Sequence, residues 1–394
     1  MILLAALMFH LMTSYAQLSE KTENEPQNTS MKLMSTNDSK ISIGGYAEIN
    51  YNQPFGNDIR SNGELDVQRM VLLFAYQFND RVDFVTEIEF EHVKEVFVEQ
   101  AFIRYKLNEW MNLRAGLILI PMGIINEYHE PTTFNGVERP LIANTLIPTT
   151  WREIGIGFSG KFNDLGLKYQ VYLVNGLNGY DDGTAKISGG GLRSGRKKGA
   201  ESFMSSPNLS FKIDYYGISN LKLGFSGYLG KTQSTLFDGL DTNNDALVMM
   251  ADSSRVGLNL FGIDARYNKD GFAFRGAYFA GSLTNTAEYN ELTGKDVGSK
   301  LFGYYMEASY NLMRLFENKN EELVFFARYE NYNTQSAVEA GTVKNDAYAV
   351  KQITTGLGYR IANGVVLKAD LQFLKNKTQD SYAKQFNAGV AVWF

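Results

Sequence analysis

Sixteen stretches of this sequence alternate apolar and polar residues with a period of two, and nothing else in it repeats as persistently. "ISIGGYAEINY" at 41–51 sets Ile41, Ile43, Ala47, Ile49 and Tyr51 against Ser42, Tyr46, Glu48 and Asn50. "LVFFARYENY" at 323–332 and "VVLKADLQFL" at 365–374 behave in the same way. Successive side chains of a strand point to opposite faces, so each stretch makes one apolar and one polar face. The expected strands are 41–51, 65–78, 82–92, 94–107, 111–120, 152–163, 165–176, 208–216, 220–231, 255–268, 271–281, 300–312, 321–333, 349–360, 364–375 and 384–394, with no convincing helical stretch between them. The 23 Tyr, 26 Phe and 37 Gly against 7 Pro suit strands joined by tight turns.

The connections say which kind of sheet this is. Taken in order, the even ones are short, such as Asn79-Asp80-Arg81 and Lys269-Asp270. The odd ones are long, at 52–64, 121–151, 177–207, 232–254, 282–299, 334–348 and 376–383, apart from a tight turn near Val93. Short turns at one end and long loops at the other are the habit of barrels that cross an outer membrane. A soluble barrel or sandwich with its apolar face inward shares the alternation, but has no reason to sort its loops. The expected fold is therefore all-β: a transmembrane antiparallel β-barrel of about 16 strands, apolar face to lipid and polar face to the lumen. Tyr51, Tyr76, Tyr105, Tyr267 and Tyr310, near strand ends, suit an interfacial aromatic girdle. "NAGVAVWF" at 387–394 reads as the closing strand, with Phe386, Ala388, Val390, Val392 and Phe394 toward lipid and Asn387, Gly389, Ala391 and Trp393 on the other face. Closure requires it to pair with 41–51.

The start, "MILLAALMFHLMTSYAQ", reads as a signal peptide over 1–16 that lacks a basic n-region, with a buried apolar helix as the alternative. Residues 17–40 are polar and aperiodic, as in a disordered lead-in. Beyond the start no apolar run is long enough for a helical membrane span. The chain has no Cys, which excludes disulfides and thiolate metal sites, and its net charge of -5 gives no reason to expect nucleic acid. No cofactor or metal is expected. "DTNNDALVMMAD" at 241–252 reads as a polar loop, a calcium loop being the lesser alternative since the Gly and terminal Glu of a calcium hand are missing.

One block is more specific. A strand ending "GLILIPMG" at 116–123, a long loop with Glu138-Arg139-Pro140, then "REIGIG" at 152–157, followed by "LVNGLNG" at 173–179 and "LKLGFSGYLGK" at 221–231, resembles the phosphate-selective porin O/P family in its Bacteroidetes form. The resemblance implies a sixteen-stranded porin of the bacterial outer membrane, usually a homotrimer, that passes small hydrophilic solutes and ions. In that family's best-known members Arg and Lys along the lumen select phosphate, but those residues find no one-to-one match here; a weak lean to anions such as phosphate comes instead from the basic lumen candidates, which slightly outnumber the acidic ones. The terminal Trp393 and Phe394 resemble the signal by which barrel assembly machinery takes up its clients.

The site candidates follow from the strand faces and the loops. Loop 121–151 carries Glu127, His129, Glu130, Glu138 and Arg139 and four of the seven prolines, and is expected to fold into the lumen as a constriction; capping the outside is the alternative. Glu87, Glu89 and Glu91 share one lumen face and favour cations, unless they pair with basic neighbours. Arg114, Lys212, Lys222, Arg266, Arg275, Arg328, Arg360 and Lys368 are the basic lumen candidates. The run "GLRSGRKKGAES" holds Arg193, Arg196, Lys197 and Lys198, either as a cationic funnel or as a solvated external loop that meets outer-membrane lipids. His92 and His129 read as surface residues. With no G-x-S-x-G elbow and no Ser placed beside either His, a phospholipase-type enzyme is the weaker alternative to a channel. A barrel-anchored receptor is another, and lacks the length for a plug domain.

Overall fold

The computed structural model describes residues 40–56, 60–316 and 321–394. The expected leader at 1–16, and the lead-in apart from Lys40, lie outside the described residues. Sixteen strands form the wall: β1 Ile41–Phe55, β2 Glu64–Asn79, β3 Val82–Glu91, β4 Glu95–Asn108, β5 Met111–Leu119, β6 Arg152–Phe162, β7 Leu167–Val174, β8 Asn208–Ile218, β9 Leu221–Lys231, β10 Gly257–Lys269, β11 Phe272–Thr284, β12 Lys300–Asn311, β13 Glu322–Ala337, β14 Ala349–Ala362, β15 Val365–Asn376 and β16 Ala383–Trp393. Each pairs with its neighbours in sequence, and β1 closes the ring on β16 with Tyr46 opposite Trp393 and Phe55 opposite Lys384.

The pleat sorts the side chains inside out. Ile41, Ile43, Ile49, Ile156, Phe158, Leu173, Ile263 and Phe386 are exposed on the outer face. Glu48, Glu87, Lys212, Asp264, Arg328, Lys368 and Asp370 are buried on the inner one. Charge inside and hydrocarbon outside fits a lipid surround, because lipid removes the penalty on exposed apolar surface and imposes one on exposed charge. At the short-turn end Trp110, Phe162 and Tyr169 stack in sequence at 5.8 and 5.6 Å, and Tyr76 meets Phe78 at 4.8 Å, as a girdle requires.

The helix-free reading is corrected in the loops. A single helical turn α1 (Ile142–Thr145) and two short helices, α2 (Asp245–Ser253) and α3 (Thr286–Thr293), lie between strands. They are too short to show a clear period of 3.6 against the surrounding polar sequence. The reading of 241–252 as a polar loop fails over α2, which is capped by Asn244, whose side chain accepts from the Leu247 N–H. A small sheet of Asn178–Asp181, Thr184–Ala185 and Gln233–Ser234 also sits in the loops.

Candidate functional site

The segment between β5 and β6 does not leave the barrel. It has an apolar core of its own: Ile120, Ile124, Phe134, Ile142, Leu146 and Trp151 are all buried and pack with wall residues such as Phe102, Tyr172, Tyr228, Phe279 and Tyr305. Apolar burial holds it in bulk, and polar ties fix its position. Lys212 on β8 donates to the Gly123 carbonyl at 2.7 Å and to Glu127 at 2.8 Å, while Gln170 on β7 donates to Glu127 at 2.5 Å. Across the lumen, Lys368 on β15 donates to the carbonyls of Pro131, Phe134 and Gly136, and Arg275 on β11 to that of Thr133. Asp370 accepts from the Val137 N–H at 2.6 Å and Glu330 from the Ile142 N–H at 3.1 Å. Arg328 lies between Glu307 and Glu330 and reaches the Glu138 carbonyl. The charged lumen wall therefore caps the backbone of an irregular segment, which is what buried backbone polar groups demand.

His129 is a second tie and corrects the surface reading. It is 2% exposed, with Nε2 at 3.1 Å from Glu99 and 3.4 Å from Glu87, beside the Tyr46 hydroxyl, which donates to both carboxylates. Burial opposes charging the imidazole, but the two carboxylates outweigh it and hold its pKa well above the ordinary value. Ligand atoms of Glu87, Glu99 and His129 lie within 4.8 Å of one another. With the imidazole protonated the three form an ion-paired clasp, and with the ring neutral the same atoms are a candidate metal-ligand set. Burial likewise works against the Glu127 carboxylate, and Lys212 and Lys168 overcome it to bring its pKa to about 2. Glu130 is buried beside them, and Arg139 donates to the His129 carbonyl at 3.2 Å.

The loop leaves a gap against β1–β3 and β14–β15. This cavity, of about 240 Å³, is bordered by Arg69, Arg139, Arg152, Arg193, Arg196 and Lys198 together with Glu48, Glu89, Glu91 and Glu138. Two of these cations are neutralised: Arg69 by Glu48 and Glu89, Arg152 by Glu99. The other four are held without carboxylates. Arg193 donates to the Thr149 carbonyl, Arg196 to those of Pro148 and Thr150, and Lys198 lies 3.7 Å from the Phe97 ring centroid. Burial pulls the Arg196 pKa down to about 9 and lowers those of Arg193 and Lys198. Arg193, Arg196 and Lys198 also line a more open cavity of about 520 Å³ with Ser188 and Ser194. Part of the basic run thus lies against the cavity beside loop 121–151, whereas Lys197 turns away to pair with Asp181 at 2.9 Å.

The sequence profile of the family phosphate-selective porin O and P matches residues 41–216. An uncharacterised protein of Aquifex aeolicus is 34% identical over 368 residues, spanning 90% of this chain and 79% of its own. The chain belongs to the phosphate-selective porin O and P family. Among solved structures, the outer membrane channel DcaP of Acinetobacter baumannii matches at TM-score 0.61 and 12% identity, covering 90% of this chain and 97% of that one. The anion-selective porin from Comamonas acidovorans matches at 0.58 and 14%, covering 90% and 99%. At these identities the likeness is one of fold. This porin is a passive channel, and its place is the bacterial outer membrane.

Not every predicted lumen residue of the porin meets loop 121–151. Arg360 is exposed at the short-turn end and pairs with Glu322 there. Arg114 stays on the wall and donates to the Tyr172 hydroxyl at 3.2 Å, whereas Arg266 does meet the loop, lying over the Tyr128 ring at 4.7 Å. Glu99, Arg69 and Arg152 were missed, each for a local reason. Glu87 faces Gln100 and Ile88 faces Val98, so Glu99 is the extra residue of a β-bulge. The bulge puts Glu99 and Gln100 both inward, which strict alternation forbids. On β2 the buried partners of Arg69 are Val71 and Leu73, so both faces read as apolar. Arg152 opens the expected strand 152–163, but it and Glu153 are both buried where the loop rejoins the wall, so alternation does not assign it a face.

Proposed function

We propose that this porin favours anions, with loop 121–151 as the constriction and Glu87, Glu89, Arg114, Glu127, His129, Glu130, Arg139, Lys212, Arg266, Arg275, Arg328 and Lys368 lining or anchoring it. One observation carries the anion reading: Arg139, Arg193, Arg196 and Lys198 border the cavity and form no ion pair among the described residues. Of the three lumen carboxylates that argued for cations, Glu87 and Glu89 are engaged with His129 and Arg69, while Glu91 borders the cavity with no ion pair among the described residues and is outnumbered there by the four cations. A fixed excess of cationic groups in a low-dielectric throat raises the local concentration of anions and speeds their entry. The three cations shared with the outer cavity extend that bias toward the mouth. A homotrimer embedded in outer-membrane lipid is the assembly the family suggests, checked by whether unheated protein migrates as three chains.

The test is a planar-bilayer recording in a KCl gradient. The reversal potential is expected to carry the sign of chloride preference, and the triple variant Arg193→Gln, Arg196→Gln, Lys198→Gln is expected to move it toward zero. A reversal potential of cation sign in the unsubstituted protein overturns the reading.

A further inference from the structure

We propose that the constriction cavity is a binding site for hydroxylated organic anions, such as sugar acids. This rests on the anion reading above and goes beyond it by naming what the rest of the cavity recognises. Beside the guanidinium groups, the cavity wall includes Gln352 on β14 and Gln372 on β15. The Gln352 Oε1 and the Gln372 Nε2 are buried and have no hydrogen-bond partner, as are the Arg139 Nε and both the Nε and Nη2 of Arg152. Gln352 is 4% exposed, and its Nε2 is committed to the Thr354 hydroxyl at 3.3 Å. A buried polar group left unpaired costs free energy, so each of these atoms asks for a partner from the solute.

The set of atoms defines that partner. The guanidinium nitrogens only donate, and match a carboxylate or another oxyanion. The two amides present one acceptor and one donor. Chloride or sulfate is built of acceptors alone and leaves the Gln352 oxygen unsatisfied, while hydrogen phosphate brings only the one or two hydroxyls of a single compact group. A hydroxyl both donates and accepts, so a polyol chain serves both amides at once. Exchanging O and N on either amide leaves polar atoms that hydroxyls still satisfy. The volume agrees: about 240 Å³ is several times the roughly 30 Å³ that one water takes up in the liquid, more than a small inorganic ion fills.

Three probes separate the parts of the site. Gluconate carries the carboxylate and the hydroxyls, acetate the carboxylate alone, and glucose the hydroxyls alone. Each is titrated against the single-channel KCl conductance of the full chain in planar bilayers. Half-block by gluconate is expected at a concentration ~5- to 10-fold below that of acetate or glucose, the effect of one or two net hydrogen bonds. The double variant Gln352→Leu, Gln372→Leu is expected to abolish that advantage while leaving the KCl reversal potential unchanged. Gln352→Ala and Gln372→Ala carry the same readout singly, and the conductance step itself reports that each variant has folded. Gluconate no better than acetate, or an advantage that survives loss of both amides, overturns the proposal with the anion reading intact. A reversal potential of cation sign overturns the anion reading instead.

Discussion

Lys212 shows at the scale of one residue how the lumen charges work. Its ammonium is fully buried between the Gly123 carbonyl, Glu127, Asp214 and Asp264. Replacing it by Met leaves three buried carboxylates without their common partner, a loss on the order of 3–5 kcal/mol. Lys212→Met is therefore expected to free the start of the loop, seen as noisier and larger single-channel steps in a barrel that still inserts. His129 adds a pH dependence. Its pKa is raised in the folded protein, so its stabilising effect is complete below the ordinary histidine value of about 6.5 and is lost as pH rises through the raised one. Glu127 works in the opposite sense: its contribution is present above the ordinary carboxylate range and is lost as pH falls through about 2. Open-channel noise is expected to grow on the alkaline side, and His129→Gln to remove that alkaline step. Noise that stays flat with pH in the unsubstituted protein counts against the clasp.

At the scale of the element, the loop is a small core built inside a barrel. Its entry depends on Gly123, whose φ of +69° is open to glycine and strained for other residues. A Cβ there would also lie 2.6 Å from the Phe279 ring. Gly123→Ala is expected to displace the loop from β11 and raise conductance, with the far-UV circular dichroism of the strands unchanged. Unaltered conductance would show that the loop seats without this turn. That 121–151 is long and fixed rather than floppy was legible from its length and its four prolines. Its attachments were not, because Lys368 and Pro131 lie 237 residues apart and meet only after the barrel closes.

The whole molecule depends on one seam. Gly45 and Phe394 exchange two backbone hydrogen bonds, each 2.9 Å, and Trp393 packs on Tyr46, Val71 and Leu73. Deleting Phe394 removes both bonds, along with the aromatic ring that lies over Gly45. The expected result is a lower yield of heat-modifiable barrel, while the channels that do form conduct as before. Equal yield would count against a seam of this importance, and against the proposed reading of the terminus by the assembly machinery.

Sixteen alternating strands, their order around the ring and the sorting of short turns from long loops were all written in the sequence, because a period of two and the spacing of turns are local properties. The inner and outer faces followed wherever alternation ran unbroken, as in β1 and β16. What the tertiary structure alone decided is which lumen charges remain available. Glu99 enters through a bulge, His129 is buried instead of solvated, and Arg193, Arg196 and Lys198 border the throat while Lys197 does not. Selectivity depends on the charges left after pairing, and pairing across a lumen joins residues that no local pattern connects.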